Sequence, residues 1–291
     1  MRDFEYAAAT TVDEAVSLLA ARGEGAKVLT GGTDLIVQLR EGLRQADLVV
    51  DVKKIPELME LRFSPAGGLQ LGAAVPCYRL YDDPQIVAAY PGLVDAARII
   101  GGWQIQSRAS IGGNLCNSSP AGDSIPVLIA LDVTCHLAGP KGRRTVAAAE
   151  FCTAPGRNVL LRGEILTALE FPPPQPHAKG AYLRFIPRNE MDIAAVGAAS
   201  WLKLSDAGDK IVAARVALGA VAPTPLLAEE ASKWLVGQPA SETSYIQAGE
   251  LARKSARPIS DRRGTAEYRT HLVGVLVKRT LAIAAERARA K

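Results

Sequence analysis

Five residues past the middle of the chain, Pro172-Pro173-Pro174-Gln175-Pro176, restrict the fold more than any others. Proline fixes φ and has no N–H, so this run can neither continue a helix nor sit inside a sheet. It predicts a linker, with a first domain over residues 1–175 and a second over residues 176–291. Both lengths suit a single domain. Hydrophobic residues make up 48% and charged residues 22% of the chain, enough apolar material for two packed cores.

Upstream of the prolines the pattern is mixed. Thr11 can cap a helix, with Glu14 three residues on as in a capping box and Val12, Ala15, Val16, Leu18 and Leu19 as its apolar face. Gly23 and Gly25 end it. A strand at Lys27–Thr30, a helix beginning near Thr33-Asp34 and a strand at Asp47–Val52 make a β-α-β-like unit. Two strands flank Pro65-Ala66-Gly67-Gly68, and a helical stretch from Asp83-Pro84 is interrupted by Pro91. Residues 103–123 lack a period and read as a loop system. A helix at Ser124–Leu131 and strands at Val133–Leu137 and Ile165–Phe171 complete the domain.

Downstream, strand-like runs at Ala181–Ile186, Ala194–Leu204 and Ile211–Ala220 precede helical stretches at Pro225–Leu235, Thr243–Ala256 and Thr265–Ala290. Ser205-Asp206-Ala207-Gly208-Asp209 signals a hairpin. The expectation is α+β, with a three-stranded sheet backed by helices in the second domain.

Composition excludes several functions. The net charge of +4 arises from 34 basic and 30 acidic residues. The basic excess falls in Arg253–Arg263 and in Lys278, Arg279, Arg287, Arg289 and Lys291, which read as a solvated helical face. With aromatics at 5% and no interleaving of aromatic with basic residues, no nucleic-acid partner is expected. Cys77, Cys116, Cys135 and Cys152 form no C-x-x-C pair, so neither a metal nor a cluster site is signalled, and they read as small buried apolar residues. His136, His177 and His271 have no triad or metal spacing, and no catalytic residue stands out. Met1-Arg2-Asp3-Phe4-Glu5 opens no apolar leader and no run approaches a membrane span, so a cytoplasmic protein without a transmembrane segment is expected.

Two glycine pairs carry the chemistry. The first lies in Val28-Leu29-Thr30-Gly31-Gly32-Thr33-Asp34, a strand, a tight turn and a helix start. Glycines let backbone approach a bulky anion, and free N–H groups can hold it. Asp34 would repel phosphate there, and so would cap the helix with Thr33 or bond a sugar hydroxyl. The second lies in Ser110-Ile111-Gly112-Gly113-Asn114, followed by Cys116-Asn117-Ser118-Ser119-Pro120-Ala121-Gly122-Asp123. Small donors around exposed backbone suit a diphosphate, and an acid suits sugar hydroxyls or a purine amino group. Neither pair matches G-x-G-x-x-G or the P-loop.

The stretches Lys27–Leu35 and Gln104–Leu115 resemble the two FAD-diphosphate loops of the molybdenum-hydroxylase flavin subunits, the xanthine and carbon monoxide dehydrogenase family. Asn117–Asp123, Gly163–Leu166, Arg188 with Met191–Ala194, Glu267–Arg269 and Leu272–Leu276 continue the resemblance in order along nearly the whole chain.

The resemblance implies a vanillyl-alcohol-oxidase-like (PCMH-type) FAD-binding domain followed by a CO dehydrogenase flavoprotein C-terminal domain. Val28, Leu29, Thr30, Gly31, Gly32, Thr33 and Asp34, with Ser110, Ile111, Gly112, Gly113 and Asn114, would line the diphosphate and ribityl chain of a non-covalent FAD. Asp123 would hold a polar group of the cofactor, and Ile111 and Leu166 would pack near the isoalloxazine. Arg184 would stand where the family often has Lys, as a cation favouring the reduced cofactor, or else be a strand-edge surface arginine. Trp103, just before the second loop, would pack under the adenine, in a core or at an interface. Gln106-Ser107 departs from the family's usual Arg-Asn. The implied protein is the medium, electron-transfer subunit of a dehydrogenase complex. Its partners are a large molybdopterin subunit and a small [2Fe–2S] subunit, as a dimer of heterotrimers. A self-contained flavin oxidoreductase of the same superfold and a nucleotide-binding module are the alternatives.

Overall fold

The computed structural model describes residues 2–188 and 191–290; Met1 and Lys291, the ends of the terminal segments read above, lie outside the described residues. The chain opens with β1 (Glu5–Ala8), α1 (Val12–Arg22), β2 (Ala26–Leu29), α2 (Leu35–Arg40) and β3 (Leu48–Asp51). The three strands form a parallel sheet in the order β1-β3-β2. Thr11 caps α1, its hydroxyl accepting the Glu14 N–H at 3.1 Å. Glu14 returns to the Thr10 N–H at 2.8 Å, one residue earlier than a regular capping box. Val12, Ala15, Val16 and Leu19 form the buried stripe of α1 and pack with Leu48 and Val50. Val49 points the other way, to Leu39 and Ala46, by the two-residue alternation of a strand.

The next strands are β4 (Leu61–Ser64) and β5 (Gly68–Gly72). Six short helices follow: α3 (Tyr78–Tyr81), α4 (Pro84–Ala89), α5 (Pro91–Ala97), α6 (Trp103–Gln106), α7 (Ile111–Asn117) and α8 (Ser124–Ala130). Then come β6 (Thr134–Gly139), β7 (Gly142–Ala147), α9 (Ala148–Phe151), the short pair β8 (Cys152–Ala154) and β9 (Arg157–Asn158), and β10 (Ile165–Phe171). The second sheet is antiparallel, in the order β4-β5-β10-β6-β7. The expected loop system over 103–123 is corrected: α6 and α7 lie inside it. Gly112-Gly113 lies in the first turn of α7, and the Ser110 hydroxyl caps it by accepting the Gly113 N–H at 3.0 Å.

Beyond the prolines, β11 (Ala178–Phe185), β12 (Val196–Leu204), β13 (Ile211–Gly219) and β14 (Leu226–Leu227) form an antiparallel sheet. It has four strands, not the expected three, because Leu226 and Leu227 pair with Leu218 and Ala217. Two residues beside Pro223 and Pro225 are too few to show a period. Helices α10 (Glu229–Leu235), α11 (Glu242–Arg253) and α12 (Ala266–Arg289) cover one face. Ala198, Leu202 and Leu204 of β12 pack toward them, while Ala199 and Trp201 pack toward the first core, where α5 and α8 lie.

Several polar contacts join these halves, among them Arg215 to the Ile129 carbonyl and Lys179 to the Ala88 carbonyl, and two bear on the site. Arg287 grips both oxygens of Asp95, at 2.6 and 2.9 Å, and Asp95 also accepts the Tyr182 N–H at 3.1 Å. Bidentate Arg–carboxylate geometry is the strong form of such a pair. The basic end of α12 is therefore not simply a solvated face. The second contact, at Asp123, adjoins the candidate site.

Candidate cofactor site

The two glycine segments, some 80 residues apart in sequence, meet in space. A Cβ at Gly31 would lie 2.0 Å from the backbone oxygen of Arg108, and one at Gly113 would lie 2.9 Å from Thr30 Oγ1. Only bare backbone lets the segments come this close. Gly32 adopts φ 77°, a conformation that a side chain would strain. Lys53 fixes the turn from behind, donating to the Thr30 carbonyl at 2.9 Å and to Asp51 at 2.7 Å. Across the gap, Gln38 donates to Asn117 at 3.2 Å.

A cavity of about 270 Å³ opens between the segments. Val28, Thr30, Gly31, Gly32, Thr33 and Asp34 line it from the first, and Ser110, Gly112, Gly113 and Asn114 from the second, with Leu166 opposite. Leu29, Ile111, Asp123 and Arg184 do not. Leu29 alternates to the other face of β2 and packs beside Leu39 and Val49, and Ile111 is buried in the main core. Asp34 is also corrected in part: it stands at the helix start but makes no side-chain capping bond. Burial pushes its carboxyl up, an effect that Arg44 partly offsets.

Several lining residues escaped the sequence reading. Lys27 and Arg44 are cations with no ion-pair partner within 4.0 Å among the described residues. Burial, and then repulsion by Arg44, holds the Lys27 ammonium below its usual range. Gln38, Asn117 and Asn158 add amides, and Val52, Leu58, Ile100, Leu160 and Ile165 add an apolar wall. Cys116 lines the cavity too, and burial pushes its thiol up to about 12, which favours the protonated form. Nothing in local sequence marks Arg44 for this place, since tertiary packing alone brings it there.

Asp123 and Arg184 pair with each other beside this region. One Asp123 oxygen accepts from the Arg184 guanidinium at 2.5 Å, the other from the Tyr182 hydroxyl at 2.9 Å. The side chains are only 10% and 8% exposed, so Arg184 is not a surface arginine. Burial pushes the Asp123 carboxyl up to about 6, against the pull of Arg184 and Tyr182. A Cβ at Gly197 would come within 2.6 Å of the Tyr182 hydroxyl, so glycine there leaves room for the contact. Gln106, the departure noted above, is a buried strut. It accepts from Tyr81 at 2.9 Å and donates to the Arg98 carbonyl at 2.6 Å. Trp103 is 82% exposed, in neither a core nor the cavity.

These residues suit a dinucleotide: two unpaired cations and bare glycine backbone for phosphate, hydroxyls and amides for sugar, an apolar wall for a ring. Sequence comparison agrees. The family described as the FAD binding domain in molybdopterin dehydrogenase matches residues 2–174, and the CO dehydrogenase flavoprotein C-terminal domain matches residues 181–284. The chain belongs to this family. It is an FAD-binding subunit of the molybdenum hydroxylases, an oxidoreductase component. The xanthine dehydrogenase FAD-binding subunit of Escherichia coli O157:H7 is 32% identical over 283 residues, covering 97% of this chain and 96% of that one. The carbon monoxide dehydrogenase medium chain of Afipia carboxidovorans is 34% identical over 288 residues, covering 99% and 97%. The reconstituted CO dehydrogenase from Oligotropha carboxidovorans superposes with a TM-score of 0.93 at 34% identity, covering 98% of this chain and 99% of that one. Among the described residues no helix is long and apolar enough to cross a membrane.

Proposed function

We propose that this chain is the electron-transfer subunit of a molybdenum-containing dehydrogenase, taking electrons from [2Fe–2S] clusters on a small partner and passing them to an external acceptor. The substrate would be oxidised at a molybdopterin site on a large partner, and the cytoplasmic assembly would be a dimer of heterotrimers. The relatives, a xanthine dehydrogenase subunit and a carbon monoxide dehydrogenase medium chain, support this division of labour. The two-unit division at residues 1–175 and 176–291 is proposed on the same footing, the proline run serving as hinge.

The observation that carries the proposal is the meeting of the two glycine segments beside unpaired Lys27 and Arg44. FAD supplies exchange between one- and two-electron carriers. The protein's part is to bind, orient and tune it. Thr30, Gly31, Gly32 and Thr33, with Ser110, Gly112 and Gly113, would hold the diphosphate through backbone N–H and hydroxyl groups, with Lys27 and Arg44 balancing its charge. Val28, Asn114 and Asp34 would meet the sugar and ribityl hydroxyls, and Leu166 the ring. Leu29 and Ile111 would back the loops from the core. Arg184, oriented by Asp123 and Tyr182, would act on the flavin through its charge.

Acid precipitation tests the binding mode. A yellow supernatant containing FAD is expected, since no covalent link is proposed; a yellow pellet or released FMN refutes it. Affinity purification of the native complex should bring two further chains carrying molybdenum and iron. A lone chain that turns over purines, aldehydes or carbon monoxide refutes the electron-transfer role.

A further inference from the structure

A cleft of about 220 Å³ lies where the proline run passes between the halves of the chain. Its floor is one row across the second half's sheet. Gly180 of β11 pairs with Trp201 of β12, and Trp201 pairs with Arg215 of β13, so the three share a face. Gly180 adds no side chain to the row. The side chains nearest to a Cβ there, Leu131 and Trp201, would be 3.9 Å away, so the floor is open beside the indole. Leu131, Pro172, Pro173 and Pro174 complete an apolar lining, and the Tyr90 hydroxyl fixes the run by donating to the Pro172 carbonyl at 2.7 Å.

The charges in this lining do not cancel. Its one carboxylate, Asp132, is already engaged by Arg215 at 2.9 Å. The Arg215 Nε and the same terminal nitrogen also hold the Ile129 carbonyl, at 3.2 and 2.9 Å. The other terminal nitrogen and its two N–H groups have no acceptor among the described residues. Lys179 is the second cation. It donates to the Ala88 carbonyl at 2.7 Å, has no carboxylate beside it among the described residues, and is held below its usual range by burial alone. Two cations with spare donors thus face one carboxylate that is already paired. A single negative charge would balance them, and half-buried donors gain most from an ionised acceptor.

We propose that this cleft binds a small aromatic carboxylate, its ring laid between Trp201 and the prolines and its carboxylate taken by Arg215 and Lys179. A planar guanidinium fork suits a carboxylate, and indole and proline rings suit a flat apolar body. The volume lies below the range of about 300–1,000 Å³ usual for drug-sized ligands, which favours a single ring over a nucleotide or a peptide.

Titration calorimetry on the FAD-loaded full chain tests the site, with benzoate and its neutral isostere benzamide as probes. Benzoate should bind saturably, and benzamide about ten-fold more weakly, the weight of one charge-assisted hydrogen bond. Lys179→Gln should weaken benzoate about ten-fold and leave benzamide unchanged, whereas Trp201→Leu should weaken both. Lys141→Gln, which removes an equal charge from the exposed turn between β6 and β7, should change neither. Lys179, Gly180, Trp201 and Arg215 do not line the cofactor cavity, so the flavin absorbance should not move as benzoate binds. A flavin shift that tracks the heat puts the ligand at the cofactor and overturns the site, as does the absence of saturable binding. Benzamide as tight as benzoate, or equal weakening of benzoate by Lys141→Gln and Lys179→Gln, overturns the carboxylate class.

Discussion

Replacing Gly31 with alanine isolates the steric basis of the cofactor site. The new Cβ would lie 2.0 Å from the Arg108 carbonyl oxygen, 2.5 Å from its carbon and 2.9 Å from the Ala109 nitrogen. A comfortable carbon–oxygen separation is about 3.3 Å, so the overlap is about 1.3 Å. All three opposing atoms are backbone, and no side-chain rotation can relieve them. The two segments must part by roughly that distance, which moves Thr30 away from Gly113 and opens the cradle. Forced overpacking costs about 1–3 kcal/mol. At 1.4 kcal/mol per ten-fold, FAD affinity should fall by about 5- to 150-fold if the whole cost falls on the bound state. Gly113→Ala is the control, because its Cβ would meet only the rotatable hydroxyls of Thr30 and Ser110 at 2.9 and 3.0 Å. Equilibrium dialysis against FAD, with Tm of the apo protein alongside, separates lost affinity from lost stability. A Gly31→Ala protein with unchanged FAD affinity and unchanged Tm would refute the backbone-contact argument.

Asp123 gives a pH signature. Its folded-state carboxyl titrates at about 6 against 3.8 unexposed to the fold, so the folded state binds the extra proton and this group favours folding more as pH falls through 6. Between pH 7 and 5 the wild type should gain stability relative to Asp123→Asn, on the order of 1 kcal/mol, read as a widening gap in Tm; parallel curves would refute it. Arg184→Ala should lower the flavin midpoint by about 30 mV for each 1.4 kcal/mol of lost charge interaction, and also lower Tm because Asp123 is left buried without its partner. Coincident midpoints in spectroelectrochemical titrations would remove Arg184 from the flavin's environment.

Much of the fold was legible because its signals are local. Thr11 with Glu14, the turn at Pro65–Gly68, the hairpin at Ser205–Asp209 and the run Ile165–Phe171 each carry their own period or cap, and each element formed where expected. Elements held mainly by tertiary contact were not legible. β7 begins Gly-Arg-Arg-Thr, is largely exposed and exists because it pairs with β6. α7 hid behind its glycines. The glycine segments themselves were visible, but their meeting was not, since no sequence rule brings Gly31 to the backbone of Arg108. Arg44 was missed for the same reason, and Lys27, at the edge of the first segment, was given no role of its own. Asp123 and Arg184 appeared as separate candidates, and only the structure joins them into one buried pair.

That pair changes how the two halves of the chain relate to the site. Among the described residues, none from the second half lines the cofactor cavity, yet Tyr182 and Arg184 of β11 hold Asp123 at the start of α8. The next residue, Ser124, hydrogen-bonds Asn114, which does line the cavity. Arg287 of α12 holds Asp95, and Asp95 in turn accepts from the backbone of Tyr182, so the same strand is fixed at two points. Paired buried charges tolerate little displacement, because separating them leaves each desolvated and uncompensated. The second half is therefore joined to the cofactor cavity by a short path, from β11 by hydrogen bonds to Asp123, along the chain to Ser124, and by a hydrogen bond to Asn114. A change at Tyr182 or Gly197 would reach the cavity by that route without either residue touching its contents.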